Sequence, residues 1–215
     1  ADGAAGRPAL PEAVLDKGTY ARWELGRMDL PQGQERLVLR QEGWQAPLQW
    51  VARPDEQGSP VWLMLERQLD GGPWPAAQAE FAVDGLPAGA GEFVPEGGRV
   101  RLYFGVDPRV TVTTTTDEKR RGESGLIGKR RTWSWSWTYT VHNGRPRPVT
   151  VRVERPEPLP VDSSVEVALD GARPQKGEDH SLFWLVETPA GDSRSIRHGV
   201  SVSAPERLDL HPVAP

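Results

Sequence analysis

Apolar residues recur at every second position along most of this chain. Leu37 and Leu39 alternate with polar neighbours over 35–40, and Leu48, Trp50 and Ala52 do so before Pro54 closes the run. Pro60 opens a continuous apolar stretch, 61–65, which predicts a strand buried on both faces. Phe81 and Val83 lead into Asp84-Gly85, a turn signal, while Val100, Leu102 and Phe104 follow Gly97-Gly98. Val110 and Val112 run into Thr113, Thr114, Thr115 and Thr116, whose β-branched side chains suit extended backbone. The clearest alternation is Trp133, Trp135, Trp137, Tyr139 and Val141 on one face, with Ser134, Ser136, Thr138 and Thr140 on the other. Asn143-Gly144 then predicts a two-residue hairpin turn. Val149, Val151 and Val153 form the next strand. Val165, Val167 and Leu169 follow, then Asp170-Gly171, then Leu182, Trp184 and Val186, and 196–202 is the last strand of the pattern. No segment carries a sustained apolar stripe at helical spacing.

Short strands at this spacing, joined by Gly and Pro turns, predict an all-β protein, an antiparallel β-sandwich. The C-terminal half, 106–215, reads as an immunoglobulin-like sandwich. Residues 18–105 read as a companion N-terminal β subdomain, and 1–17 as a flexible lead-in. Composition agrees, since 23 Gly and 21 Pro in 215 residues are dispersed between apolar runs rather than pooled. The net charge of -4 and the lack of any nucleic-acid motif argue against nucleic acid as a partner. With no Cys, thiolate metal sites and disulfides are excluded. No apolar run is long enough to span a bilayer. The first residue is Ala1, which is read as a processed chain or a part cut from a longer one.

The stretch Phe104-Gly105-Val106-Asp107-Pro108-Arg109-Val110 resembles a GVDP signature in the C-terminal domain of the mucoidy inhibitor A family. Gly128-Lys129-Arg130-Arg131, Thr138-Tyr139-Thr140-Val141-His142-Asn143 and the 149–155 strand extend the likeness. Trp62-Leu63-Met64-Leu65 and Phe81-Ala82-Val83-Asp84-Gly85 extend it upstream. The resemblance implies a domain of unknown biochemical function. The family's name comes from suppression of exopolysaccharide overproduction, and many of its members look exported. A periplasmic or cell-envelope location is therefore expected, although a cytoplasmic one is compatible with the residues. Members carry an N-terminal domain and a coiled coil ahead of this domain, and nothing here matches either.

Two basic triplets, Lys119-Arg120-Arg121 and Lys129-Arg130-Arg131, flank a glycine-bounded tip containing Leu126 and Ile127. If these segments pair as a hairpin, the triplets are expected to face each other. Like charges opposed across strands repel, which points to an anionic partner: a protein, an acidic polysaccharide or a membrane surface. The bland reading is a solvated turn partly neutralised by Glu118 and Glu123. The row Trp133, Trp135, Trp137 and Tyr139 has two readings as well, stacking platforms for a glycan or filling of a sandwich core, and burial favours the core. Asp107-Pro108 reads as a turn that opens a strand.

No catalytic, cofactor or metal residue stands out. His142, His180, His198 and His211 lack ligand spacing. Ser195, His198 and Asp192 could be assembled on paper into a triad, and are read as a chance set. The expectation is a non-catalytic binding or adaptor module without a cofactor. The alternatives are a carbohydrate-binding module using exposed tryptophans, or an enzyme of unrecognised type.

Overall fold

The computed structural model describes residues 15–16, 21–22, 32–33, 42–70, 74–124, 130–160, 162–177, 180–208 and 210. The expected strand at Leu37 and Leu39 lies outside them, as does most of the expected lead-in. The described residues form strands and no helix. In chain order these are β1 (Leu15–Asp16), β2 (Ala21–Arg22), β3 (Gln49–Ala52), β4 (Ser59–Gln68), β5 (Ala77–Val83), β6 (Leu86–Phe93) and β7 (Arg99–Ser124). Then come β8 (Arg130–Asn143), β9 (Val149–Pro156), β10 (Glu166–Gly171), β11 (Gln175–Lys176), β12 (Ser181–Thr188) and β13 (Ser193–Pro205). A large sheet has the order β10-β13-β8-β7-β4-β3-β9-β12-β11, while β1-β2 and β5-β6 are separate two-stranded sheets. Among the described residues β3 runs parallel to β9 while β12–β9, β13–β8 and β7–β8 are antiparallel, which makes the large sheet mixed.

Two compact units divide the chain, Ala1–Pro47 with Leu65–Tyr103, and Leu48–Met64 with Phe104–Pro215. The division within β7 falls beside Gly105, but 48–64 pack with the C-terminal unit rather than with their sequence neighbours. In the first unit, Asp84 and Gly85 both have positive φ, as a two-residue turn between paired antiparallel strands requires. Trp74 packs against Trp44 and Phe93 near the open end of that hairpin. β6 has the sequence LPAGAGEF, whose small residues carry no apolar alternation, so the pattern does not announce it.

The second unit is a sandwich rather than a closed barrel. Trp184 of β12 meets Tyr139 of β8 and His198 of β13 across the interior, so the two ends of the large sheet face each other. The alternation on β8 produces this core directly: Trp135, Trp137, Tyr139 and Val141 are buried with Val149, Val151, Val153, Leu182 and Val186. Each large side chain removed from water contributes roughly 1.5–3 kcal/mol. The connections β8–β9, β10–β11 and β12–β13 each cross from one layer to the other, since neither member of any pair lies beside the other in the sheet. Asn143-Gly144 is therefore no hairpin turn: β8 pairs with β7 and β13, and β9 with β3 and β12. At the β10–β11 crossing Gly171 has a φ of 85°, and a Cβ there would collide with the carbonyl oxygen of Arg197. Burial on both faces is also not met along 61–65, because Trp62 keeps 40% of its surface exposed between buried Val61 and Met64.

His198 stacks near Trp137 and Trp184, with its Nδ1 buried and without a partner among the described residues. Burial lowers its pKa from 6.5 to about 4, and the positive charge of Arg155 pushes in the same direction. The folded ring stays neutral where an unfolded one gains a proton, so stability should decline as pH falls from 6.5 toward about 4. Urea unfolding across that window should register a loss on the order of 2 kcal/mol, and His198→Phe should flatten the slope. Equal slopes in both proteins would remove His198 as the cause.

Candidate functional site

The long strands β7 and β8 form the hairpin that the basic segments suggested, but its register differs from the expected one. Lys119, Arg120 and Arg121 lie opposite Trp135, Ser134 and Trp133, while Arg130 and Arg131 lie opposite Ser124 and Glu123. The triplets are staggered along the hairpin and do not face each other, so the cross-strand repulsion expected between them is not built in. A bulge between Thr116 and Glu118 contributes to this offset. The extra residue, Asp117, accepts a hydrogen bond from Thr138 at 2.7 Å and lies 3.8 Å from Arg197.

Two members of the second triplet are engaged by their own chain. Arg130 donates through Nε to Ser203 Oγ at 2.9 Å and pairs with Glu166 at 3.2 Å, and Arg131 pairs with Glu206 at 3.6 Å. Both sit along β13, whose pairing with β8 extends to Pro205 opposite Arg130. Leu126, Ile127 and Lys129 lie outside the described residues. On its other side β7 neighbours β4. The chain just before β4 abuts Val112 and Thr113 through Gly58, so among the described residues β7 beyond Thr113 has β8 as its sole strand neighbour. Among the described residues β8 alone runs beside the stretch that carries the first triplet, and the residues paired with it are uncharged.

The row considered as a glycan platform is core. Trp135 and Trp137 are each 4% exposed and Tyr139 1%, while Trp133 is half-buried against the same cluster. Burial raises the Tyr139 pKa, against the opposing charge of Arg155. The opposite face of the sheet carries cross-strand hydroxyl pairs, Ser134 with Ser201 at 2.9 Å and Thr140 with Ser195 at 2.8 Å. His142 joins Thr113 and Ser193 on that face. Ser195 thus lies on the outer face and His198 in the core, so the paper triad does not assemble. Among the described residues no three His, Asp or Glu side chains gather as metal ligands, and no helix is long and apolar enough to cross a membrane.

Asp107 is no simple turn residue. It lies within β7 at 1% exposure. Its Oδ2 accepts hydrogen bonds from Trp50 Nε1, at 2.8 Å, and from Arg145 Nε, while its Oδ1 accepts the Arg109 N–H at 3.1 Å. Burial pushes its pKa up, but those hydrogen bonds and the Arg145 charge outweigh burial and hold it below the usual carboxylate value. Spacing could not reveal this node, whose partners lie 57 and 38 positions away. The period-two pattern, with apolar residues at 100, 102, 104, 106, 110 and 112, puts Asp107 on the polar face instead.

A family model described as a domain of unknown function, DUF4139, matches residues 5–206. The chain belongs to the DUF4139 family. No curated protein and no solved structure matches it. Membership places the GVDP residues and the basic hairpin inside one family domain, and leaves its chemistry to be read from the residues.

Asp107→Asn should cost about 2–4 kcal/mol, because it strands the Arg145 charge. Adding Arg145→Met should recover part of that loss. The midpoint of urea unfolding for the two variants checks both statements.

Proposed function

We propose that this DUF4139 chain is a non-catalytic binding or adaptor module that meets an anionic partner through the β7–β8 hairpin. The observation that carries the reading is the placement of Lys119, Arg120 and Arg121 on β7, opposite Trp135, Ser134 and Trp133. The residues paired with them across the strands are uncharged. Arg130 and Arg131, held by Glu166 and Glu206, contribute less to an outside partner and more to anchoring the tip end of the hairpin. Clustered cations attract anionic surfaces at a distance even when the whole chain is acidic, because the Debye length at physiological salt is only about 8 Å.

The resemblance to mucoidy inhibitor A supports a place at the cell envelope and a link to exopolysaccharide control. In that setting an acidic polysaccharide, an anionic membrane surface or an acidic protein supplies the counter-charge. With three of the four row aromatics in the core, no observation favours glycan stacking over electrostatic contact.

The test is binding to polygalacturonate, to phosphatidylglycerol vesicles and to poly-glutamate, each at low and at physiological salt. The wild-type chain should bind at least one probe, and added salt should weaken it. The triple variant Lys119→Gln, Arg120→Gln, Arg121→Gln should lose about tenfold in affinity, about 1.4 kcal/mol, and much of the salt dependence. A triple variant that binds with unchanged affinity and salt response would sink the proposal.

A further inference from the structure

We infer a second anion-binding site, at the Arg109–Arg147 end of β7, that takes a carboxylate or phosphate oxyanion. It is independent of the hairpin reading. The two cationic groups lie on the order of 30 Å apart along the strand.

The site is built on the crossing between β8 and β9. Asn143, 2% exposed, shares its amide hydrogens among the carbonyls of Arg147, Thr188 and Pro189 at 2.9–3.1 Å. Its Oδ1 accepts the Arg145 N–H at 2.9 Å. Gly144 N–H donates to Arg109 O at 2.7 Å, which sets the end of the crossing against β7. A surface connection is usually free to move. This one is fixed at both ends by a buried amide.

What the crossing presents is a pair of guanidinium groups around one indole. The Cζ atoms of Arg145 and Arg147 lie 5.7 and 5.9 Å from the Trp50 ring centroid, and Trp50 is itself held by Asp107. Asp107 neutralises Arg145. Arg147 and the neighbouring Arg109 are exposed, and neither meets a carboxylate among the described residues. Their situation differs from that of Arg53, Arg130, Arg131, Arg152, Arg194 and Arg197, each of which lies against one. A guanidinium resting on an aromatic ring has lost part of its rotamer freedom and keeps its planar fork of donors open. Ordering costs are thus partly met before a ligand arrives. The fork matches the two oxygens of a carboxylate or phosphate.

The experiment follows the Trp50 indole N–H cross-peak by 15N NMR, assigned with Trp50→Phe, while inorganic phosphate or oligogalacturonate is added at low salt. Either probe should move the peak, and the probe that does so names the source of the oxyanion. Arg147→Gln should weaken that response about tenfold with unchanged thermal stability, and Arg109→Gln should weaken it as well. The hairpin triple variant should respond like wild type, which separates failure here from failure of the hairpin reading. A Trp50 peak that ignores both probes, or a response that survives Arg147→Gln intact, overturns the inference.

Discussion

A buried carboxylate needs partners, and Asp107 finds them in three separate parts of the chain. Trp50 comes from β3, the Arg109 N–H from β7 itself, and Arg145 from the crossing after β8. Leaving such a charge unpaired would cost several kcal/mol, so the folded chain must bring these elements to one point. The aromatic row of β8 contributes more burial, but apolar surface is tolerant of what covers it. The Asp107 node is specific in direction and distance. Asn143 repeats the principle one step on, satisfying carbonyls from two crossings with a single side chain.

These constraints divide the arginines into two populations. Several are consumed by structure: Arg145 on Asp107, Arg53 and Arg152 on Glu154, Arg130 on Glu166. Arg109 and Arg147, at one end of β7, are exposed and meet no carboxylate among the described residues. An acidic chain can thus present basic ground locally without being a polyanion binder in bulk.

The parts of the fold legible in the sequence are those governed by one-dimensional periodicity. Trp135 to Val141 read as core because alternation at period two fixes a face whatever the neighbouring strands are. Asp84-Gly85 read as a turn because its two positive φ angles are a local requirement. Asn143-Gly144 carries the same signature but a different outcome, since the Asn side chain anchors a crossing between layers and strand order is not local. The register of the basic triplets was hidden for a related reason: a bulge moves the pairing, and the sequence around Asp117 does not advertise one. The partners of Asp107 became visible only once distant strands met.

In the proposed binding mode a polyanion lands on β7 along 114–124. Amide hydrogen exchange, read by mass spectrometry with and without the polyanion that binds, tests it most directly. Protection should concentrate in the peptides covering 114–124 and be small at the β10–β11 crossing on the far edge of the sheet. Binding that leaves 114–124 exchanging as in the free chain, with protection elsewhere, would contradict it.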